Sequence, residues 1–197
     1  MVRTPWLAPF RYLALASALA LFAAPASAAP KKYHFELLSV SAKPEVKPDV
    51  AKAATPRIEA QVKSVFASHP QLVANLEGAP DPKTAAEAYR KYLVKKAIAA
   101  AYLVSVDITE ASEELEPVDK PNTQRLVIHV AIHMLGENIP GRTMGFTGDG
   151  KATIKQEVGV KVRDADRQDT WNDAAKIAVD DAMAKVFKQL GQPQPKK

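Results

Sequence analysis

Residues 124–134 read QRLVIHVAIHM, and their alternation decides the fold. Ile128, Val130, Ile132 and Met134 fall on one side of an extended chain, and Val127, His129, Ala131 and His133 on the other. β-branched residues dominate the first set, so this is a strand with one face in a core and the other less covered. Asn138-Ile139-Pro140-Gly141 then reads as a turn, which predicts a hairpin partner from Arg142 to about Phe146. A strand-like pattern resumes over 151–158. Between the two, Gly148-Asp149-Gly150 either bulges that strand or turns it back, and both readings fit the pattern.

Upstream, Val104, Val106 and Ile108 alternate with Ser105, Asp107 and Thr109, which predicts a strand over Tyr102–Thr109. Glu110, Glu113, Glu114, Glu116 and Asp119 follow as an acidic loop ended by Pro121. Two helices are expected before it. Thr55-Pro56 offers an N-cap and a proline at the first helical position, and Ile58, Val62, Val65 and Phe66 form the apolar stripe of a helix over about 56–67. His69-Pro70 stops it. Asp81-Pro82 repeats the start signal for a second helix, with Ala85, Ala88, Tyr89, Tyr92 and Leu93 as its stripe and an end near Ala97. Residues 33–40 (YHFELLSV) suit a first strand, 41–54 a loop or frayed helix start, and Gln71–Leu76 a short strand.

Downstream, a long helix is expected from Thr170 to Leu190, with Asp173 completing an approximate capping box. Trp171, Ala175, Ala178, Ala182, Val186 and Leu190 make its inward stripe, and the alanines let it lie close on a sheet. Gly191 is placed to cap it, before a tail, 191–197, expected to be disordered. The class is therefore α/β (α+β): a single small mixed or antiparallel sheet packed by two or three helices, the last one long. One domain spans 33–190, after a short basic segment at 29–32.

The 197 residues carry 27 Lys and Arg, 22 Asp and Glu, and no Cys, a formal +5. Residues 1–28 hold Arg3 and Arg11, an uncharged run from Tyr12 to Phe22, and Ala26-Ser27-Ala28. That is the pattern of a secretory signal peptide cleaved after Ala28, and its apolar run is short of the roughly 20 residues that span a bilayer. Without Arg3 and Arg11 the charge is +3. Setting aside Lys31, Lys32, Lys196 and Lys197 as well leaves a body at −1, a poor nucleic-acid binder. An exported chain without Cys relies on its core instead of disulfides, which suits a bacterial periplasm.

Catalytic motifs are not found. His129 and His133 are separated by about 13 Å on a strand, too far for one metal ion. Asp164, Asp166, Asp169 and Asp173 lack the Gly and Glu of a calcium loop, and read as a solvated loop before the last helix. Gly148-Asp149-Gly150-Lys151 lacks phosphate-loop spacing. No serine sits in a nucleophile-elbow context. No cofactor is expected. Arg90, Lys91, Lys95 and Lys96 cluster on the second helix and, with His129 and His133, form the candidate partner-binding surface; the acidic 110–119 segment could neutralise it.

The order strand, helix, short strand, helix, three strands, long helix resembles a group of bacterial envelope domains. These are the N-terminal domain of the Tol-Pal translocation protein, the curli-secretion lipoprotein and the lipoprotein activator of penicillin-binding proteins. The resemblance is carried by Thr84–Asp107 (TAAEAYRKYLVKKAIAAAYLVSVD), the paired strands in 124–154, and Asp173–Leu190 (DAAKIAVDDAMAKVFKQL). The chain departs from these proteins in having no lipid-anchor Cys and no propeller or pore-forming extension. The resemblance implies a non-enzymatic module that binds other envelope proteins and carries over no functional residue. The expectation is an exported periplasmic accessory or adaptor protein. A carrier of a small molecule or metal ranks second, and a hydrolase with dispersed residues third.

Overall fold

The computed structural model describes residues 30–192. The expected signal peptide and residues 193–197 of the expected tail lie outside them. The element order is β1 (Lys32–Ala42), α1 (Pro48–Ser68), α2 (Ala86–Lys95), β2 (Ile98–Pro117), β3 (Thr123–Ile139), β4 (Met144–Gly159) and α3 (Asp164–Gly191). The four strands form one sheet in the order β1-β2-β3-β4, with β1 parallel to β2 and the other pairs antiparallel. The α/β class, the mixed sheet and the long last helix are as the sequence predicts.

The two faces of β3 are also as predicted. Ile128, Val130, Ile132 and Met134 are buried in the main core against α1 and α3, whereas His129 and His133 lie on the opposite, largely bare face. An aromatic group fills one end of that core. Phe35 packs on Phe66, Tyr102, Phe146 and Phe187 at ring separations of 5.1 to 6.0 Å. A smaller second core forms on the other sheet face, where Tyr89 and Leu93 of α2 cover Ile98 and Ala101.

Gly148-Asp149-Gly150 neither bulges nor turns. β4 runs through it unbroken, paired with Ile132, His133 and Met134. The glycines are there because α3 crosses at that point. A Cβ on Gly148 would stand 2.8 Å from the Ala182 carbonyl oxygen and 2.6 Å from Val186, and one on Gly150 would overlap the Ala178 carbonyl. The alanine stripe and the glycine pair are two halves of one close approach.

Several expectations are corrected. The acidic 110–119 segment is not a loop: Glu110–Pro117 continue β2 and pair with Gln124–Ala131. A register shift between Ile108 and Glu110 reverses the alternation. Glu110, Ser112, Glu114 and Glu116 thereby share the bare face, while Ala111 and Glu113 face the helices. Glu113 accepts hydrogen bonds there from Trp171 Nε1 (2.9 Å) and Arg167 Nε (2.6 Å). Helix α1 starts at Pro48, so Pro56 lies inside it. Burial of Val46 and Ala54 in the main core extends the helix past the bond that Pro56 cannot donate. Helix α2 starts at Ala86, because the Asp81 carboxylate accepts from the Lys83 N–H (2.8 Å) and holds a turn. Gln71–Leu76 supplies only an isolated bridge, Leu72 to Tyr33.

At the far end, α3 begins at Asp164, so the aspartate run is its first turns and no loop, and Thr170 is not its cap. The Thr170 hydroxyl is fully buried, donating to the Asp166 carbonyl (2.6 Å) and lying in hydrogen-bond contact with the Gln156 side chain. Gly191 is the last helical residue, not a left-handed cap; Gln192 follows in extended backbone.

Candidate functional site

The candidate residues occupy two separate places. His129 and His133 lie mid-sheet on the bare face, in different ion-pair and hydrogen-bond sets. His129 Nδ1 stands 2.9 Å from Thr153 Oγ1 and its Nε2 3.1 Å from Glu110 Oε2, while His133 Nδ1 is 2.7 Å from Asp149 Oδ1. Arg90, Lys91, Lys95 and Lys96 are exposed on and just after α2, which covers the sheet only at its Ala101–Ile139 end. Ladder positions put that end about 20 Å from the His133 level. The structure therefore does not join them into one surface. Nor do the β2 acids neutralise the basic cluster, since Glu110 stands twelve residues along the strand from Ile98, about 40 Å away.

Thr153, His129 and Glu110 place a hydroxyl, an imidazole and a carboxylate in series, the order of groups in a nucleophile triad. The set sits on a flat exposed sheet. The surrounding β2 and β3 backbone is committed to the ladder, and such a ladder presents no pair of free amides that would hold an oxyanion. Nearby, Asp107 accepts from Ser41 Oγ (2.8 Å) and pairs with Lys43 (3.1 Å), and these bonds hold its carboxyl below the ordinary aspartate value. Among the described residues no group of three or more His, Cys, Asp or Glu could hold a metal ion. The other two histidines are used structurally. His34 Nδ1 meets the Val73 carbonyl at 2.7 Å, and the His69 ring stacks on Phe187 at 4.1 Å, where burial lowers its pKa.

Two features escape sequence reading. The first is a cavity of about 540 Å³ on the bare side of the sheet, beside α2's approach. Leu38, Leu103, Ile139 and Pro140 make its apolar lining, with Glu36 and Arg142 among its polar groups. Its lining comes from four separated segments, so no local signal announces it. Leu38 reaches it from a register shift between Leu37 and Ser39 and is 52% exposed.

The second feature is an asymmetry between the sheet's edges. On β4, side chains of α3 reach the outward backbone between Thr147 and Lys151. The Thr147 N–H donates to Gln189 Oε1 (3.1 Å), the Lys151 N–H to Asp181 Oδ2 (3.2 Å), and Lys185 Nζ donates to the Asp149 carbonyl (2.7 Å). On β1, Tyr33 exchanges two backbone bonds with Gln71 and Val73, each 2.8 Å. Beyond it, the outer side of Phe35–Ala42 pairs with no other strand among the described residues.

No family model matches this sequence, and no curated protein does. Solved structures with a partly similar chain path include three bacterial proteins. A proposed lipoprotein from Caulobacter crescentus CB15 is 11% identical, with a TM-score of 0.48 over 81% of this chain and 93% of its own. A protein from Xanthomonas campestris is 9% identical, with a TM-score of 0.45 over 83% and 91%. The rare lipoprotein B of Shewanella oneidensis is 13% identical, with a TM-score of 0.38 over 80% and 100%. Likeness at this level says nothing of function. The Tol-Pal, curli and penicillin-binding-protein activator resemblance read from the sequence is not shown by it. No helix among the described residues is long and apolar enough to cross a membrane.

Proposed function

We propose that this chain is an exported, non-enzymatic accessory protein of a bacterial cell envelope that binds partner proteins by accepting a strand at the β1 edge. Export is supported by the 1–28 segment. Strand addition is supported by a difference between the edges: side chains of α3 cover the middle of β4 over Thr147–Lys151, and Phe35–Ala42 is left with its outer backbone groups unpaired by any strand. An extended segment laid there would gain main-chain hydrogen bonds, and one of its side chains could enter the cavity at Leu38 and Leu103. The bulge at Leu37/Ser39 restrains self-pairing, as edge bulges do.

A photo-crosslinking residue at Ser39, compared with one at Lys151, tests this in living cells. Envelope proteins captured from Ser39 and not from Lys151 support it; equal capture, or none from Ser39, refutes it. The cavity also favours a second reading, carriage of a small amphipathic molecule. Native mass spectrometry separates the two, because a stoichiometric adduct lost in Leu103→Trp points to the carrier.

A further inference from the structure

The second charged region lies at the end of the sheet where the chain enters the domain. Lys32 pairs with Ile98 in the β1–β2 ladder, which sets Lys31 and Lys32 beside the junction between α2 and β2. A shallow hollow of about 450 Å³ records the meeting: Lys31, Lys32 and Val94 line it together with Ala97. Lys91 and Lys95, one turn apart, share the outward face of α2, opposite the buried Tyr89 and Leu93. Lys96 stands 5.8 Å over the Tyr92 ring. Cations far apart in sequence thus form one basic end.

Its cations are not matched by ion pairs, although Glu77 lies beside α2, where its carbonyl accepts from Tyr92 Oη (2.7 Å). Among the described residues, Lys31, Lys32, Arg90, Lys91, Lys95 and Lys96 form no ion pair within 4.0 Å, whereas Lys43, Lys120, Arg142 and Lys185 are each paired. Glu87 is the one carboxylate on α2. At the centre of this end Val94 is 79% exposed, an apolar side chain on the same outward face as Lys91.

We propose that this end docks on an anionic phospholipid surface, with the six cations meeting headgroup phosphates and Val94 reaching into the interface. Charge complementarity supplies the attraction. The exposed Val94 favours a bilayer over a nucleic acid, whose phosphates offer nothing apolar to receive it. The proposal does not require strand addition, which uses Phe35–Ala42 farther along β1.

The test is co-sedimentation of the exported protein with phosphatidylglycerol-rich vesicles and with phosphatidylcholine vesicles, in low and in high salt. Binding is expected only to the anionic vesicles and is expected to fall with salt. At about fivefold per removed cation, Lys31→Ser/Lys32→Ser/Lys91→Ser/Lys95→Ser should weaken it several hundredfold. Val94→Ser should weaken it several-fold with the charge unchanged. A charge-matched control, Lys47→Ser/Lys52→Ser/Lys161→Ser/Lys188→Ser, should bind as the parent does. All these positions are exposed, and equal melting curves confirm folding; if the quadruple variant melts early, Lys91→Ser/Lys95→Ser replaces it, with about a 25-fold loss expected. No binding by the parent, equal loss in the control, or equal affinity for duplex DNA with Val94→Ser silent overturns the proposal.

Discussion

Gly150→Ala probes the contact that holds the long helix to the sheet. The added methyl would overlap the Ala178 carbonyl oxygen and lie 2.8 Å from its carbon and 3.0 Å from the Ala182 Cβ. None of these atoms belongs to a flexible side chain, so the strand and helix must part. Overpacking of this kind costs about 1–3 kcal/mol. A gap of only about 0.5–1 Å also forfeits a quarter to a half of the attraction at each separated contact. Ala178, Ala182 and Val186, all fully buried, would share that loss, so the upper end, about 3 kcal/mol, is expected. For a domain of this size that lowers Tm by about 6–12 °C. Urea denaturation followed by tryptophan fluorescence measures the same loss, because Trp171 is buried on α3. Gly191→Ala is the control: it lies in the same helix with nothing within 4 Å of a new Cβ, and should be neutral or slightly stabilising. If Gly150→Ala melts within about 2 °C of the parent, the close approach does not carry the packing assigned to it.

Glu113→Ala should destabilise by about 1–3 kcal/mol, because the buried Trp171 indole N–H loses its acceptor; thermal melting beside Glu113→Gln, which keeps one, checks this. The folded His69 pKa is depressed, so the unfolded chain binds the extra proton. Stability should therefore fall as pH drops through about 6.5 and level off below the folded pKa, and His69→Gln should flatten that part of the profile in urea titrations. Asp181→Ala/Lys185→Ala/Gln189→Ala should bare the β4 edge and raise self-association in sedimentation velocity, while an unchanged monomer fraction would show that these side chains do not guard it.

The strand faces of β3 were legible because the alternation there is long and unbroken. The inward stripe of α3 was legible because 3.6-residue spacing persists from Trp171 to Leu190. Boundaries were not. Thr55-Pro56 and Asp81-Pro82 are start signals of the right type, yet the core overrode the first and a side-chain turn absorbed the second. The acidic strand end was hidden because a one-residue shift reversed its alternation, which lets a run of glutamates stay in a ladder while facing water. At the candidate site, the cations and histidines could be named from sequence. That they occupy two places, and that Lys31 and Lys32 join one of them, could not.

Sequence alone determined the class, the buried face of β3 and α3, and the apolar 12–22 segment, because each follows from neighbours along the chain. Only the tertiary structure decided which edge of the sheet stays open, why Gly148 and Gly150 are glycines, and where the cations gather. Those properties arise between residues tens of positions apart. A parallel crossover brings Lys32 to Ile98, and a helix crossing brings Ala178 to Gly150. Local periodicity holds no record of either distance.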